Sequence, residues 1–444
     1  MFAVYPASPF PDRRIFCIDS VSFYASCECR YRNLPPLTTK LAVVSDLHRS
    51  GSVVLAASPA LKQLGIKTAS RLYQIEQLPY RERKQIMLVE PRMLAYMKTS
   101  IEVLDVLHQF APPDAIRIYS IDENFIDMTG TERLFGSDTE TARKIQTAIW
   151  YQTGIPVRIG IGPNNVIAKL VLDLRGKREG IARCGYADIS RLLHDFPIRK
   201  MWGVGRMMEQ HLSVMGINTI GDLAAARVED LHERFGVLGA ELWHHAWGID
   251  SSPTIIDPMA LFQTAPDATR TIGHRVTLMR DYYQYEQIRL VLAELAGNVA
   301  ARVRFSNQVG WTVHLGVRYS RYVTRDGFSK QLRLPYPTAD ERLLLRYVLQ
   351  LFEPNWLDGE PVRFLSVALG QLTPDQGTLQ LSLFEDNTKV WRRKRLLKAI
   401  DHVNLRYGKG TIRLAVSFLD TSVAKRRLRF VGGHPGGEQH DTLS

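Results

Sequence analysis

The chain has 444 residues, 45% hydrophobic and 23% charged, too many for one hydrophobic core and enough for about two to four domains. No run approaches the roughly 20 consecutive apolar residues of a membrane span. The first 14 residues hold three prolines and two arginines in place of an apolar signal segment, so a soluble, cytoplasmic protein is expected. The net charge of +12 favours a polyanionic partner, nucleic acid ahead of membrane.

In chain order, residues 15–19 form a short apolar run that ends in an acid. Cys17, Cys27, Cys29 and Cys184 have neither paired metal spacing nor disulfide density, and read as buried free thiols. Met93, Met97, Ile101, Leu104 and Leu107 recur at helical spacing. Residues 117–121 and 125–128 read as two strands around a tight connection, followed by a helix from about Glu140 and a strand over 157–161. The order β-α-β-β-α-β suggests a ferredoxin-like domain, with residues 25–87 as an inserted small lobe.

Short helical stretches punctuated by Gly203, Gly205 and Gly216 follow, and then a serine- and proline-rich linker over 250–268. Ile288, Val291, Leu295, Val299 and Val303 mark a helix, whereas Trp311, Val313, Leu315, Val317 and Tyr319 alternate as in a half-buried strand. A helix over 341–352 and a strand over 362–369 complete a second α+β unit of similar pattern. The remaining residues, 373–444, carry 13 Lys and Arg against 7 Asp and Glu. Their basic helix, near 391–405, is expected to be a DNA or partner surface.

Two segments place acids where a metal site needs them. Asp19 ends the first strand, and Asp122 and Glu123 stand at the junction of the next two. First and third strands are neighbours in a ferredoxin-like sheet, so the three carboxylates can meet at one edge. Held that close they would repel one another unless a cation neutralised them, and oxygen-only ligands favour magnesium or manganese. Two such ions suit nucleotidyl transfer. On their own, these acids also serve as turn residues and a strand-end cap.

The run Ile18-Asp19-Ser20-Val21-Ser22-Phe23-Tyr24-Ala25-Ser26-Cys27-Glu28 resembles the opening catalytic motif of the Y-family translesion DNA polymerases, in their UmuC-like branch, and Tyr119-Ser120-Ile121-Asp122-Glu123 resembles their second motif. The resemblance implies an α+β right hand: a ferredoxin-like palm (11–24 and 88–181), small fingers (25–87), a helical thumb with a helix-hairpin-helix (182–249), a linker (250–268), a β-α-β-β-α-β little finger (269–371) and a basic tail (372–444). It implies translesion synthesis by DNA-directed addition of dNTPs to a primer 3′ end with two Mg²⁺ or Mn²⁺ ions. The ions would be held by Asp19, Asp122, Glu123 and the Ser20 carbonyl. Many relatives carry a further acid where Val21 stands; its absence follows the UmuC-like pattern.

By the same resemblance Phe23 and Tyr24 lie at the nucleotide, with Tyr24 excluding a 2′-hydroxyl. Lys62 and Lys177 contact the triphosphate, although Lys177 needs a one-residue shift and Arg175 is an alternative. Pro59 departs from the tyrosine that many relatives use nearby. Trp202-Gly203-Val204-Gly205-Arg206 resembles the thumb hairpin that binds DNA through Gly203, Gly205 and Arg206. Gln380-Leu381-Ser382-Leu383-Phe384 resembles the peptide that binds the bacterial sliding clamp, through Gln380, Leu381, Leu383 and Phe384. Primer-template DNA, dNTPs, the clamp and accessory SOS proteins are the implied partners, and no membrane. A palm-type nucleotide cyclase, or a DNA- and clamp-binding regulator without catalysis, are the competing readings; the first needs no thumb or clamp peptide, and the second no acids at 19, 122 and 123.

Overall fold

The computed structural model describes residues 12–250, 271–376, 387–408, 410–413, 415–419, 422–423, 430–431 and 434–435. Those up to 250 form one compact unit and those from 271 to 431 another. No helix among the described residues is long and apolar enough to cross a membrane.

The first unit is organised by β1 (Ile15–Ser20), whose Ile15, Phe16, Cys17 and Ile18 are all fully buried. Burial on both faces makes this a central strand. With β5 (Ile116–Ile118), β6 (Glu123–Asp127), β7 (Val157–Gly162) and β8 (Ile181–Arg183) it forms a sheet in the order β5-β6-β1-β7-β8. First and third strands of the expected β-α-β-β-α-β repeat are therefore neighbours, and Asp19 stands opposite Glu123. Helices Met93–Leu107 and Asp138–Thr153 pack together, while Ile15 and Cys17 cluster with Phe125, Ala168 and Leu172. Helix Asn165–Val171 can lie so close to β7 because of Gly160 and Gly162: a Cβ at Gly160 would fall 2.2 Å from the Ala168 carbonyl.

The 138–153 helix starts two residues before the expected Glu140, because Ser137 and Glu140 form a reciprocal cap: the Ser137 amide donates to Glu140 Oε2 at 2.8 Å. The 93–107 helix is present and buries Met93 and Leu107 as its spacing indicates, but its middle turns differ from the expected face. Tyr96, Thr99, Val103 and Val106 are buried, whereas Met97 and Ile101 are exposed. The reason is Tyr96, whose hydroxyl donates to Glu28 and whose ring stacks on Tyr24, turning that face inward. The expected strand over 117–121 stops at Ile118, since the amides of Tyr119 and Ser120 both donate to the Glu123 carbonyl and close a turn.

A small sheet of β2 (Leu41–Val44), β3 (Val54–Ala57) and β4 (Met87–Val89), in the order β3-β2-β4, lies between β1 and the 93–107 helix. Farther on, short helices including Arg206–Val214, Ile220–Ala225, Val228–Phe235 and Val237–Ala246 surround Leu212, Ile217, Leu223, Leu231 and Leu242. All four cysteines are buried and free.

The second unit repeats the β-α-β-β-α-β element order but not the strand order. Its sheet runs β11-β10-β12-β9, from β9 (Thr271–Tyr282), β10 (Gln308–Tyr319), β11 (Gly327–Thr338) and β12 (Val362–Pro374). Helices Tyr285–Phe305 and Glu341–Phe352 share a core with its inward residues. Val313, Leu315, Val317 and Tyr319 alternate inward as expected, while Trp311 is half-buried and its indole N–H donates to Thr373.

The tail helix, Asn387–Tyr407, is docked on this unit. Arg304 forks onto Asp401 at 2.6 and 2.9 Å, Arg393 reaches Asp340 at 2.6 Å, and Lys394 reaches Asp375 at 3.0 Å. Part of the basic charge read as a partner surface is thus spent on docking, while Arg392, Arg395 and Lys398 are exposed. Gln380, Leu381, Leu383 and Phe384 lie outside the described residues.

Candidate active site at the edge of the first sheet

The acids come together through strand pairing. β1 and β6 run antiparallel with Asp19 opposite Glu123, and the Ser20 amide donates to the Asp122 carbonyl at 2.9 Å. Ser120 caps the turn: its hydroxyl donates to Asp122 Oδ1 at 2.7 Å and accepts from the Glu123 amide at 3.1 Å. Ser20 itself is buried.

Two lysines and a further acid complete the edge. The 165–171 helix continues through a π-helical turn, Leu172–Gly176, into Lys177–Glu179. Lys169, buried, bonds Glu123 and lies 3.1 Å from Asp173. Lys177 lies 2.7 Å from Asp173 and 3.8 Å from Asp19. On a regular α-helix, eight residues advance the side chain by about 80° beyond two full turns, and the wider π-helical turn takes up the additional residue. Lys177 thereby comes to lie on the side of the helix that faces Asp173 and Asp19. Arg175 pairs with Glu179 instead.

The charges act on one another as their spacing requires. Burial above all pushes the Asp19 carboxyl up to about 7; Glu123 and Asp122 add repulsion, while Lys177 and Lys169 pull the other way. Burial alone would lower Lys169, but Glu123 and Asp173 hold it above the ordinary lysine range. Lys177 is likewise raised, Asp19 and Asp173 outweighing its burial. Lys62, on helix Pro59–Gln63, donates to the Ser22 hydroxyl at 2.8 Å; burial, Lys177 and Arg158 lower it against the pull of Asp19. Asp19 thus acts on both Lys62 and Lys177, and Arg158, which stands opposite it across the β1–β7 pairing, acts on Lys62.

No three carboxylates surround a common point among the described residues. Glu123 is turned to Lys169 and Asp122 to Ser120. The donor set nonetheless suits a hard divalent cation: the carboxylates are oxygen donors on facing backbone positions, and lysine ammoniums already stand against Glu123 and near Asp19.

Tyr24 opens onto the same edge. Ser22, at φ 48°, turns the chain from β1 into helix Phe23–Tyr31. Phe23 is buried, whereas Tyr24 is half-buried and stacks on Tyr96 with centroids 4.7 Å apart. Burial, and then Asp122, raise the Tyr24 phenol. Of this aromatic pair, Tyr24 faces the acids and Phe23 anchors the helix.

In the thumb-like region Gly203 has φ +92°, and Gly205 begins helix Arg206–Val214. A Cβ on Gly205 would meet nothing within 4 Å, so this helix start is open. Sequence reasoning missed Arg158, Lys169, Asp173 and Tyr96. The i, i+4, i+8 spacing of Lys169, Asp173 and Lys177 was the available signal for two of them.

Residues 18–173 match the impB/mucB/samB family, residues 269–383 that family's C-terminal domain, and residues 199–250 the thumb domain of DNA polymerase iota. The chain is 40% identical over 432 residues to UvrX of Bacillus subtilis (strain 168), a protein named for UV-damage repair, covering 96% of this chain and 99% of that one. It is 37% identical over 426 residues to DNA polymerase IV 2 of Halalkalibacterium halodurans, covering 95% and 99%. DNA polymerase IV of Pelotomaculum thermopropionicum is 33% identical over 414 residues, covering 93% and 97%. A solved Y-family DNA polymerase chimera shares the fold, with a TM-score of 0.62 at 20% identity over 81% of this chain and 99% of its own. With relatives of this identity along nearly its whole length, the chain belongs to the impB/mucB/samB family, the UmuC-like branch of the Y-family DNA polymerases.

Proposed function

We propose that this protein is a DNA-directed DNA polymerase that extends primers on damaged templates. The observation that carries the reading is the placement of Asp19 opposite Glu123, beside Asp122, with Lys177 and Tyr24 at the same edge. Asp19, Asp122, Glu123 and the Ser20 carbonyl would hold two Mg²⁺ or Mn²⁺ ions, which supply activation of the primer hydroxyl and charge stabilisation on the leaving pyrophosphate. A bond forms between the primer 3′ oxygen and the α-phosphorus of the dNTP, and the bond from that phosphorus to the pyrophosphate oxygen breaks.

The chain's own groups divide the remaining tasks. Lys62 and Lys177, with Arg158 nearby, meet the triphosphate's negative charge. Tyr24, backed by Tyr96, packs under the sugar and excludes a 2′-hydroxyl. The open start of the 206–214 helix, at Gly203, Gly205 and Arg206, grips a backbone phosphate. In the second unit the sheet face away from the helices carries Arg318 and Arg333 beside the small residues Gly316 and Ser366, a flat cationic surface suited to a DNA backbone. The domain division is that of palm 11–24 and 88–181, fingers 25–87, thumb 182–249, linker 250–268, little finger 269–371 and tail 372–444. The tail brings the clamp peptide at Gln380, Leu381, Leu383 and Phe384.

Primer extension by the purified protein on undamaged and abasic templates, with Mg²⁺ or Mn²⁺ and with or without a bacterial clamp, tests this. Absence of templated extension under all of these conditions refutes it.

A further inference from the structure

Four rings stand in a row between the strand that carries Glu123 and the helices that follow the hairpin. Phe125, on β6, meets Tyr119 edge-on with centroids 5.8 Å apart. Tyr119 meets Trp202 edge-on at 5.8 Å, and the Trp202 indole N–H donates to the Tyr119 hydroxyl at 3.3 Å. On its other side Trp202 lies nearly parallel to His245 of the 237–246 helix, at 6.3 Å and 12° between planes. Burial keeps the His245 imidazole below its ordinary value, favouring the neutral ring.

Both ends of the Tyr119–Trp202 contact adjoin working parts of the molecule. Tyr119 belongs to the turn that presents Asp122, and its amide shares the Glu123 carbonyl with that of Ser120. Trp202 immediately precedes Gly203, whose positive φ directs the chain into the open helix start at Arg206. A shift at either ring is thus transmitted to the turn holding the acids or to the hairpin. Tyr119 is 42% exposed and Trp202 half-buried, so the contact lies at the surface, where Trp202 also packs against the edge of the core around Leu212, Leu231 and Leu242.

We infer that Trp202 is a positioning residue: through its ring and indole N–H on Tyr119, it sets the distance between the phosphate-gripping hairpin and the carboxylate turn, and so places the primer terminus at the acids. The inference rests on the polymerase reading. Misplacement of reacting groups by about an ångström costs on the order of a hundredfold in rate, whereas the amides that provide the grip belong to residues beyond 202 and keep their chemistry when 202 is changed.

The test is single-nucleotide insertion by the full chain, with DNA affinity measured separately by fluorescence anisotropy. For Trp202→Ala the expected result is a fall in kcat of about ten- to a hundredfold with DNA affinity retained; Trp202→Phe, which keeps a ring against Tyr119 and His245, should recover most of that loss. Trp202→Phe and Tyr119→Phe each remove the same hydrogen bond, so their effects on kcat should not add in the double variant. If Trp202→Ala does not fold, the Trp202→Phe and Tyr119→Phe cycle carries the test alone. Unchanged kcat in Trp202→Ala, a loss confined to DNA affinity, or additive effects in the cycle overturns the inference while leaving the polymerase reading intact. An inert parent enzyme overturns both.

Discussion

Glu28 joins the helix that bears Tyr24 to the helix that backs it, and its replacement by glutamine should weaken both fold and sugar discrimination. Its side chain is wholly buried, accepting from Arg92 Nε and Nη2 at 2.9 and 2.8 Å, from the Tyr96 hydroxyl at 2.7 Å, and from Arg32. Burial would raise the Glu28 carboxyl, but the bonds from Arg92 and Tyr96 hold it below the ordinary glutamate value of 4.5. Glu28→Gln keeps the shape, so no cavity opens; it leaves two guanidinium groups without their counter-ion and turns an amide N–H₂ toward donors. Breaking a buried pair costs about 3–5 kcal/mol. Because Arg92 and Arg32 keep about a third of their exposure, solvent screening brings the cost to the bottom of that range or just below it, about 2–3 kcal/mol.

Urea unfolding should show the loss as a lower midpoint at unchanged slope. A carboxyl whose folded value is depressed stabilises the fold above its unfolded value, and that contribution is lost as pH falls through the folded value. The gap between parent and Glu28→Gln should therefore be full at neutral pH and shrink below pH 4.5. Since Tyr96 stacks on Tyr24, ribonucleotide insertion should also rise in the variant. A stability difference under about 0.5 kcal/mol at neutral pH, the size of an ordinary surface change, would refute the reasoning.

Asp122→Ala should abolish metal-dependent extension while DNA binding and thermal melting persist; extension near the parent rate would remove Asp122 from the site. Tyr24→Ala should admit ribonucleotides far more readily in competition assays, and unchanged discrimination would assign the gate elsewhere. Lys177→Ala should raise KM for dNTP more than Arg175→Ala does, because Lys177 and not Arg175 stands by Asp19; equal effects would undo the choice between them. The double change Leu383→Ala and Phe384→Ala should remove clamp binding in a calorimetric titration and spare unassisted extension, each anchor contributing about 2 kcal/mol or more; equal clamp affinity in parent and variant would defeat that assignment.

What the sequence made legible follows from how each feature is encoded. That Asp19 and Glu123 would face each other was readable because strand-end acids and the β-α-β-β-α-β order together dictate a neighbour relation, and β1 and β6 pair accordingly. The 341–352 helix was readable because its apolar period is strong and Asp340 caps it, accepting from the amides of Arg342 and Leu343. Where a polar contact overrides periodicity, reading failed: Tyr96 turns inward for Glu28 and leaves Met97 and Ile101 outside.

The lysines show the deeper limit. Lys169 and Lys177 look alike as basic residues of one helix, yet one is buried against Glu123 and the other remains partly exposed near Asp19. The distinction depends on a π-helical turn over Leu172–Gly176, which periodicity cannot reveal because it is a local departure from the period itself. It also depends on the close approach that Gly160 and Gly162 allow, bringing the helix down onto β7 and its ladder of charges beside the acids. With bulkier residues there, Lys169 could not be buried against Glu123 at the present spacing. The Gly160-Ile161-Gly162 run therefore acts on the site at a distance: it holds no ligand, but it determines how far from the carboxylates the Lys169, Asp173 and Lys177 ladder can stand.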